Sequence, residues 1–597
     1  MTYPEVVGSL GKERPFGKLA KASTSEIIVL ARNYDTSVGD LFLIPSDRGG
    51  DRIYVFRTIE YSNFFSYEEE IELTLVSSLV REDAYEADDM QYNEFLKLTG
   101  VLLGYAEYQA DGRWDFRAPR RLPAHRSDVY KIGFGSKAAV RIQEACVAEV
   151  LRTQLEEGVF IGALLAGEQA LPDVKVQIPG EYFAHHIGIF GRTGTGKSNI
   201  LMVLIDAIYR NNRRLLALDR PAWKDDDRLV SLFAIDPHDE FARWKPGSRG
   251  GITRIVQSMS AEERARLVGP FFYLSCRRKA AIEEDDELGG LGRRVMLHRK
   301  DITPKDVISI MEFSDVMSAA AEAVGDEHGE DWITAVLNGD VEPDERIVHK
   351  ASLAGINRRL TFLAANRSNL IPSSTDYESS LVDIVLALEE GRVLDVDTTL
   401  MTEVEQFLLT TVVARTVFSM RKALKSSANL DDLLGNGRRP GEIDRHFPRQ
   451  GSLLELLKKR LTQAGSPYCD PTGNLRSIDD LPAVNIIVEE APSILNPARI
   501  RFGSVFRDIA RQGRKFGIGL TVVSQQVTEI DSGILSQLNT EINMALGNEE
   551  ERQASIRTAS NDISAFRREL QVMGVGQAIL SASYKKVPLP IQVPELK

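Results

Sequence analysis

The stretch Gly191-Arg192-Thr193-Gly194-Thr195-Gly196-Lys197-Ser198 fits the phosphate-binding pattern G-x-x-x-x-G-K-[ST] at every fixed position. In that pattern the N–H groups of a glycine-rich turn and of a helix N-terminus converge on one anion. Lys197 would reach the β- and γ-phosphates of ATP, and the Ser198 hydroxyl would take a place on Mg²⁺. Gly191, Thr193, Gly194, Thr195, Gly196 and Asn199 complete the expected cradle. The flanks supply the context that the chemistry needs. Ile187-Gly188-Ile189-Phe190 reads as a short buried strand, and Leu201, Leu204, Ile205 and Ile208 follow at helical spacing.

Splitting the nucleotide requires acids. Val484 to Val488 is a near-continuous apolar run ending in Glu489-Glu490. One acid would hold the Mg²⁺ shell and the other would orient or activate the attacking water. Glu489 is the metal candidate and Glu490 the catalytic one. The strand Ile518 to Val523 ends in Ser524-Gln525-Gln526, which makes Gln525 a candidate γ-phosphate sensor. The helix from Arg507 to Gly517 has a basic end. Arg511, Arg514 and Lys515 either balance the helix dipole or include a finger lent to a neighbouring subunit's ATP, with Arg514 favoured over Arg511. Leu229 to Ile235 ends in Asp236-Pro237-His238-Asp239-Glu240. The C-terminal end of a parallel strand is where open α/β sheets bind ligands, and Asp236 suits a capped turn equally well.

At 597 residues the chain exceeds one ordinary core, so roughly two to four domains are expected. With 43% hydrophobic and 27% charged residues it reads as globular rather than disordered. The net charge of −13 means that any surface for nucleic acid must be local. Cys146, Cys276 and Cys469 form neither a disulfide framework nor a metal cluster, which fits a reducing cytoplasm. The N-terminus lacks the apolar core of a signal peptide, and no apolar run reaches the ~18 residues of a membrane span.

In chain order, Ile27 to Leu30, Leu41 to Ile44 and Ile53 to Phe56 read as strands, with turns at Gly39-Asp40 and Gly49-Gly50-Asp51. Evenly spaced short strands suggest a small barrel. Ser66 to Tyr92 is acidic and reads as an insertion, and β character returns from Val101 through Phe116. The basic stretch Arg117 to Arg126 suits an ordinary solvated loop better than a DNA contact. Residues 255–370 read as helical, with Asp306 to Val324 and Leu353 to Leu370 suggesting an inserted bundle. The acidic run Glu283 to Glu287 and the basic run after it read as a solvated loop. A strand at Gly391 to Val396 and a helix at Thr402 to Leu424 follow, and Asn436 to Ser452 reads as an exposed loop.

These segments together resemble the HerA family, hexameric DNA translocases of the HerA/FtsK superfamily of P-loop ATPases. The resemblance rests on GRTGTGKSN (Gly191 to Asn199), IDPHDEF (Ile235 to Phe241), IVEEAPSIL (Ile487 to Leu495), IARQGRKFGIGLTVVSQQ (Ile509 to Gln526) and GVGQAIL (Gly574 to Leu580). It implies an α/β protein with an N-terminal small β-barrel (1–165), a RecA-like P-loop ATPase core (166–254 and 371–597) and an inserted helical bundle (255–370). It further implies Lys197 and Ser198 on phosphate and metal, Glu490 as catalytic carboxylate, Gln525 as sensor and Arg514 as trans-acting finger. The implied function is ATP-driven translocation of double-stranded DNA by a homo-hexamer. Its partner would be a NurA-like nuclease in DNA end resection, or an effector in anti-phage defence, docked on the barrel. Two positions depart from the family pattern, Glu489 where Asp is usual and Asp239 where Gly is usual. An ATP-binding ring that organises an effector, with slow DNA-independent turnover, is the alternative. A secretion or conjugation motor is a third reading.

Overall fold

The computed structural model describes residues 2–596 except 24–25, 32–34, 47–49, 66–93, 152, 154–157, 218–227, 244–250, 345, 365–368, 373–376, 436–438 and 501–502. The acidic insertion read at 66–92 lies outside the described residues. The chain divides into two compact units, Met1–Ile178 with Gly191–Gly196 and Thr540–Pro594, and Pro179–Phe190 with Lys197–Asn539 and Glu595–Lys597.

In the first unit the short alternating runs become strands β1 (Gly17–Ala22), β2 (Ile27–Ala31), β3 (Leu41–Pro45), β4 (Arg52–Phe65), β5 (Glu94–Tyr108), β6 (Trp114–Arg117) and β7 (Asp128–Lys131). They pair in the order β2-β1-β7-β3-β4-β5-β6, and β2 also pairs with β5, which closes the barrel and leaves β6 as a flap on β5. Period-two apolar positions (Ile27, Val29, Ala31; Phe42, Ile44; Tyr54, Phe56; Leu96, Leu98) point into one core. Two helices that the sequence pattern did not suggest flank it, Tyr3–Leu10 and Lys137–Val150. On the basic stretch, Arg117 pairs with Glu107 and Asp115 of the same barrel, while Arg120 and Arg121 stay outside the core. A hairpin of β8 (Val159–Ala166) and β9 (Gln169–Ile178) follows.

The second unit contains β10 (His186–Phe190), β11 (Val230–Asp236), β12 (Tyr273–Ser275), β13 (Gly292–Arg294), β14 (Val393–Asp397), β15 (Ala483–Val488) and β16 (Ile518–Ser524). All are parallel, in the order β13-β12-β14-β11-β15-β16-β10. β10, β11, β14, β15 and β16 are buried at every position, which is why they read as continuous apolar runs. The longest helices are Lys197–Ala217 and Glu403–Ser426, the latter opened by a reciprocal Thr402/Glu405 capping box. Arg421 of that helix and Glu389 are both fully buried in a bidentate pair. Arg421 spends its remaining donors on the carbonyls of Pro482, Phe516 and Gly517. A buried pair satisfied this completely fixes geometry more than it adds stability.

The stretch 255–370 carries helices at Pro304–Ile310, Asp315–His328, Trp332–Asn338 and Lys350–Ala364. It also supplies β12 and β13 to the edge of the parallel sheet. Two loop readings need correction. Within 436–452 a helix spans Glu442–His446, and Ile443 and Phe447, one turn apart, are fully buried. Glycine, proline and charge dominate that composition and mask the two apolar residues that dock it. In the acidic run 283–287, Asp285 is not solvated freely but pairs with Arg243 at 2.5 Å. The chain ends with β17 (Leu538–Asn543), β18 (Gln577–Ala582) and β19 (Leu589–Gln592). These join β8 and β9 in an antiparallel sheet ordered β17-β18-β19-β8-β9. Among the described residues no helix is long and apolar enough to cross a membrane.

Candidate nucleotide-binding and catalytic site

Gly191–Gly196 follows β10 as a tight turn. Gly194 and Gly196 have φ of 78° and 104°, in the left-handed region where a Cβ is disfavoured. Within its own unit the turn is tied at three points. Arg192 N–H donates to the Ala545 carbonyl at 2.8 Å, and Gly576 N–H donates to the Thr195 carbonyl at 2.9 Å. The buried Thr195 hydroxyl donates back to the Arg192 carbonyl at 2.8 Å. The GVGQAIL tail therefore has a local task, since its second glycine holds the phosphate turn. Thr193 and Gly194 stay exposed at the crest.

Lys197 opens the 21-residue helix Lys197–Ala217, with Ser198 and Asn199 in its first turn. Asn199 Oδ1 accepts the Leu596 N–H at 3.2 Å. Burial lowers the Lys197 pKa, opposed by the charges of Glu490 and Glu489. The strand register explains why these groups share one edge. Phe190 lies beside Ser524, and Val522 beside Val488, so β10, β16 and β15 finish together. Gln525 and Glu490 are the residues just past two of those ends, and Gln525 Nε2 donates to Glu490 Oε1 at 3.2 Å. Glu490 is exposed and has φ 49°, a left-handed conformation that a non-glycine residue adopts at a cost of about 1–3 kcal/mol. Backbone strain of that kind gathers where a side chain must be aimed.

Glu489 is buried. Burial first, then the charges of Asp236, Glu240 and Glu490, push its carboxyl up to about 8 against the pull of Lys197. Glu489 and Glu490 share the one ammonium of Lys197, and Asp236 and Glu240 add negative charge around Glu489, which leaves a site short of positive charge, as a divalent cation requires. Among the described residues no group of three or more His, Cys, Asp or Glu makes a metal cage. Mg²⁺ does not need one, because it keeps its waters and takes one or two protein ligands beside the phosphates. Ser198 and Glu489 fit that demand. Asp236 turns out to cap its own loop, accepting the His238 and Phe241 N–H groups at 3.1 and 2.8 Å. Arg511 and Arg514 are both exposed, Arg511 in the helix Val505–Gln512 and Arg514 in the turn Gly513–Phe516.

A cluster that the sequence did not reveal occupies the β11, β14 and β12 ends of the same sheet. Asp239 has a φ of 54°, a left-handed conformation that favours glycine. Its carboxylate gives the reason for aspartate here. It pairs with Arg277 at 2.8 Å and Arg243 at 2.9 Å, and lies 3.1 Å from the Tyr273 hydroxyl. Arg277 also pairs with Asp397 at 3.2 Å. Asp397 accepts from Tyr273 at 2.9 Å and from Ser275 at 2.7 Å. Burial pushes the Asp397 carboxyl up, but its hydrogen bonds from Thr399, Ser275 and Tyr273 together hold it below the ordinary range. In the sequence the cluster shows only as Asp239, three residues past the end of β11 and already marked as a departure, Asp397 at the end of β14 and Arg277 two residues past β12.

Residues 159–417 match the family model described as "Helicase HerA, central domain". The chain is 22% identical over 463 residues to the "DNA double-strand break repair helicase HerA" of Pyrococcus furiosus, covering 74% of this chain and 70% of that one. A shorter alignment, 34% identical over 116 residues, relates it to the "Probable DNA double-strand break repair helicase HerA" of Methanocaldococcus jannaschii, covering 18% of this chain and 22% of that one. Among solved structures, VirB4 of Thermoanaerobacter pseudethanolicus superposes with a TM-score of 0.41 at 12% identity, covering 74% of this chain and 97% of that one. The family-model match over residues 159–417 and the long alignment with the Pyrococcus protein, taken with the phosphate loop and the acids described above, make the chain similar to the HerA helicases.

Proposed function

We propose that the chain binds ATP with Mg²⁺ at Gly191–Ser198 and hydrolyses it as a homo-hexameric, cytoplasmic motor that moves double-stranded DNA. The observation that carries this reading is the Gln525–Glu490 hydrogen bond on adjacent strand tips, with Lys197 in the field of Glu490. An exposed carboxylate aimed by backbone and by a neighbouring amide can take the proton of the attacking water. Gln525 lies on β16, beside the strand that leads into the phosphate loop, and can report the γ-phosphate to Glu490. Mg²⁺, when bound, would offset the charge of the phosphates, with Ser198 and Glu489 as its protein ligands. Arg514, or Arg511 beside it, would complete a neighbouring subunit's site. DNA contacts would be to phosphate, independent of sequence and weakened by salt. The names of the archaeal relatives support DNA as the substrate and repair as the setting. The barrel would dock a NurA-like nuclease or a defence effector.

The test is steady-state ATP hydrolysis with and without double-stranded DNA, together with the particle mass in solution. A hexamer stimulated by DNA supports the reading. A second reading, an ATP-binding scaffold with slow turnover, is favoured by one observation. Glu489 is longer than the usual aspartate, buried, and holds its proton up to about 8. A hexamer indifferent to DNA would select it.

A further inference from the structure

His186, the first residue of β10, is 4% exposed and bridges three elements. The Leu520 N–H of β16 donates to its Nδ1 at 3.1 Å. Its Nε2 lies 3.0 Å from the Ala510 carbonyl of the helix Val505–Gln512. These partners settle the tautomer. A carbonyl only accepts, so Nε2 carries the proton, and Nδ1, which receives an N–H, carries none. The ring is neutral, in keeping with a pKa that burial pushes down to about 4.

Ala510 belongs to the last helical turn, whose carbonyls lack partners inside the helix. Arg511 is the next residue and Arg514 lies in the turn that follows. That turn is pinned from two other directions, by Lys425 on the Lys515 carbonyl at 2.8 Å and by Arg421 on the Phe516 carbonyl at 2.9 Å. Both of those come from the helix Glu403–Ser426, where Arg421 is locked to Glu389. His186 alone among the three lies on the strand that runs, through Phe190, into Gly191. We propose that His186 is a positioning residue that couples the strand of a subunit's own phosphate loop to the arginine-bearing turn which that subunit lends to its neighbour. The inference rests on the reading of Arg514 or Arg511 as the lent finger. A shift of β10 on nucleotide binding is passed to Ala510 through one rigid ring, so the state of one site sets the aim of the arginine at the next.

The experiment uses subunits whose only remaining task is to lend the arginine. Subunits carrying Lys197→Ala are mixed with wild-type subunits, mixed rings are confirmed by mass, and ATP turnover per wild-type subunit is measured. The dopants compared are Lys197→Ala alone and Lys197→Ala combined with His186→Phe, His186→Gln, Arg514→Ala or Arg511→Ala. A displaced arginine costs up to about 10²-fold at an affected site, so the His186→Phe dopant should depress turnover about twofold below the plain dopant at one to one, and about tenfold at nine to one. His186→Gln keeps an acceptor and a donor and should recover most of that loss. A purely local packing role would change only the dopant's own site, which Lys197→Ala has already silenced. If His186→Phe rings form and match the plain dopant while an arginine dopant depresses turnover, the inference is overturned. If neither arginine dopant differs from the plain one, or no rings form, the reading of the arginines fails and the inference with it. If His186→Phe does not enter rings, His186→Asn, too short to reach Ala510 but able to accept from Leu520, must give the same depression, and its failure to do so overturns the inference.

Discussion

At the β11, β14 and β12 ends of the parallel sheet, Asp239, Asp397 and Asp285 each meet an arginine, and Tyr273 and Ser275 take up further oxygens. At the β15, β16 and β10 ends of the same edge, Glu489 and Glu490 face one lysine and one amide. Both ends present carboxylates past the tips of parallel strands, the position open α/β sheets use for ligands. What differs is compensation. In the first cluster two arginines, Arg243 and Arg277, hold three carboxylates between them, and the product is a fixed loop. The second is left short of positive charge and holds Glu490 in a strained backbone, which is useful only if cation, phosphate and water arrive from outside. Of the acids at these strand ends, the arginine-paired ones hold a loop in place, while Glu489 and Glu490 face the site that needs cation, phosphate and water.

The sharpest way to break this contrast is Lys197→Ala. ATP turnover should fall by at least about 10²-fold, while assembly persists in a mass measurement. Dissociation to monomers would mean that the phosphate end is architectural after all. Arg277→Met should do the reverse, lowering stability by about 2 kcal/mol in denaturant titration because Asp239 and Asp397 lose a shared partner, with ATP affinity kept. A loss of affinity without loss of stability would merge the two clusters into one site. Glu489→Asp restores the usual residue and should raise turnover by about tenfold or less, measured at saturating ATP. No change would show that side-chain length at this position does not limit hydrolysis.

The smallest effect concerns pH. The Glu489 carboxyl, ordinarily near 4.5, is raised to about 8 in the folded protein. Between those values the unfolded chain has given up a proton that the folded one keeps. Its contribution to stability is therefore complete below about pH 4.5 and is lost as pH rises toward 8. Glu489→Gln should flatten that decline in thermal unfolding of the nucleotide-free protein. His186 works with the opposite sign, since its pKa falls from 6.5 to about 4 and its contribution is lost as pH drops through that window.

The phosphate loop, the Glu489-Glu490 strand and the Gln525 strand were legible in the sequence because each couples a buried apolar run to a chemical residue at its end. Buried parallel strands leave that signature, and so do the inward-facing positions of the barrel. The Asp239–Arg277–Asp397 cluster was not legible, because its members come from segments separated by long stretches of chain and only the sheet order brings them together. His186 was silent for a related reason. A lone histidine beside an apolar strand carries no sign of the two backbone groups it will join. The helix Glu442–His446 was hidden by composition, since two apolar residues at one-turn spacing are outvoted by their polar neighbours.

The most direct test of the central claim is Glu490→Gln, a change of one atom at the end of β15. ATP affinity should stay within about threefold of wild type, while single-turnover hydrolysis falls by about 10²–10³-fold. Turnover left near the wild-type rate would show that the strained acid at the phosphate end is not the catalytic carboxylate, and the division between the two ends of the sheet would fall with it.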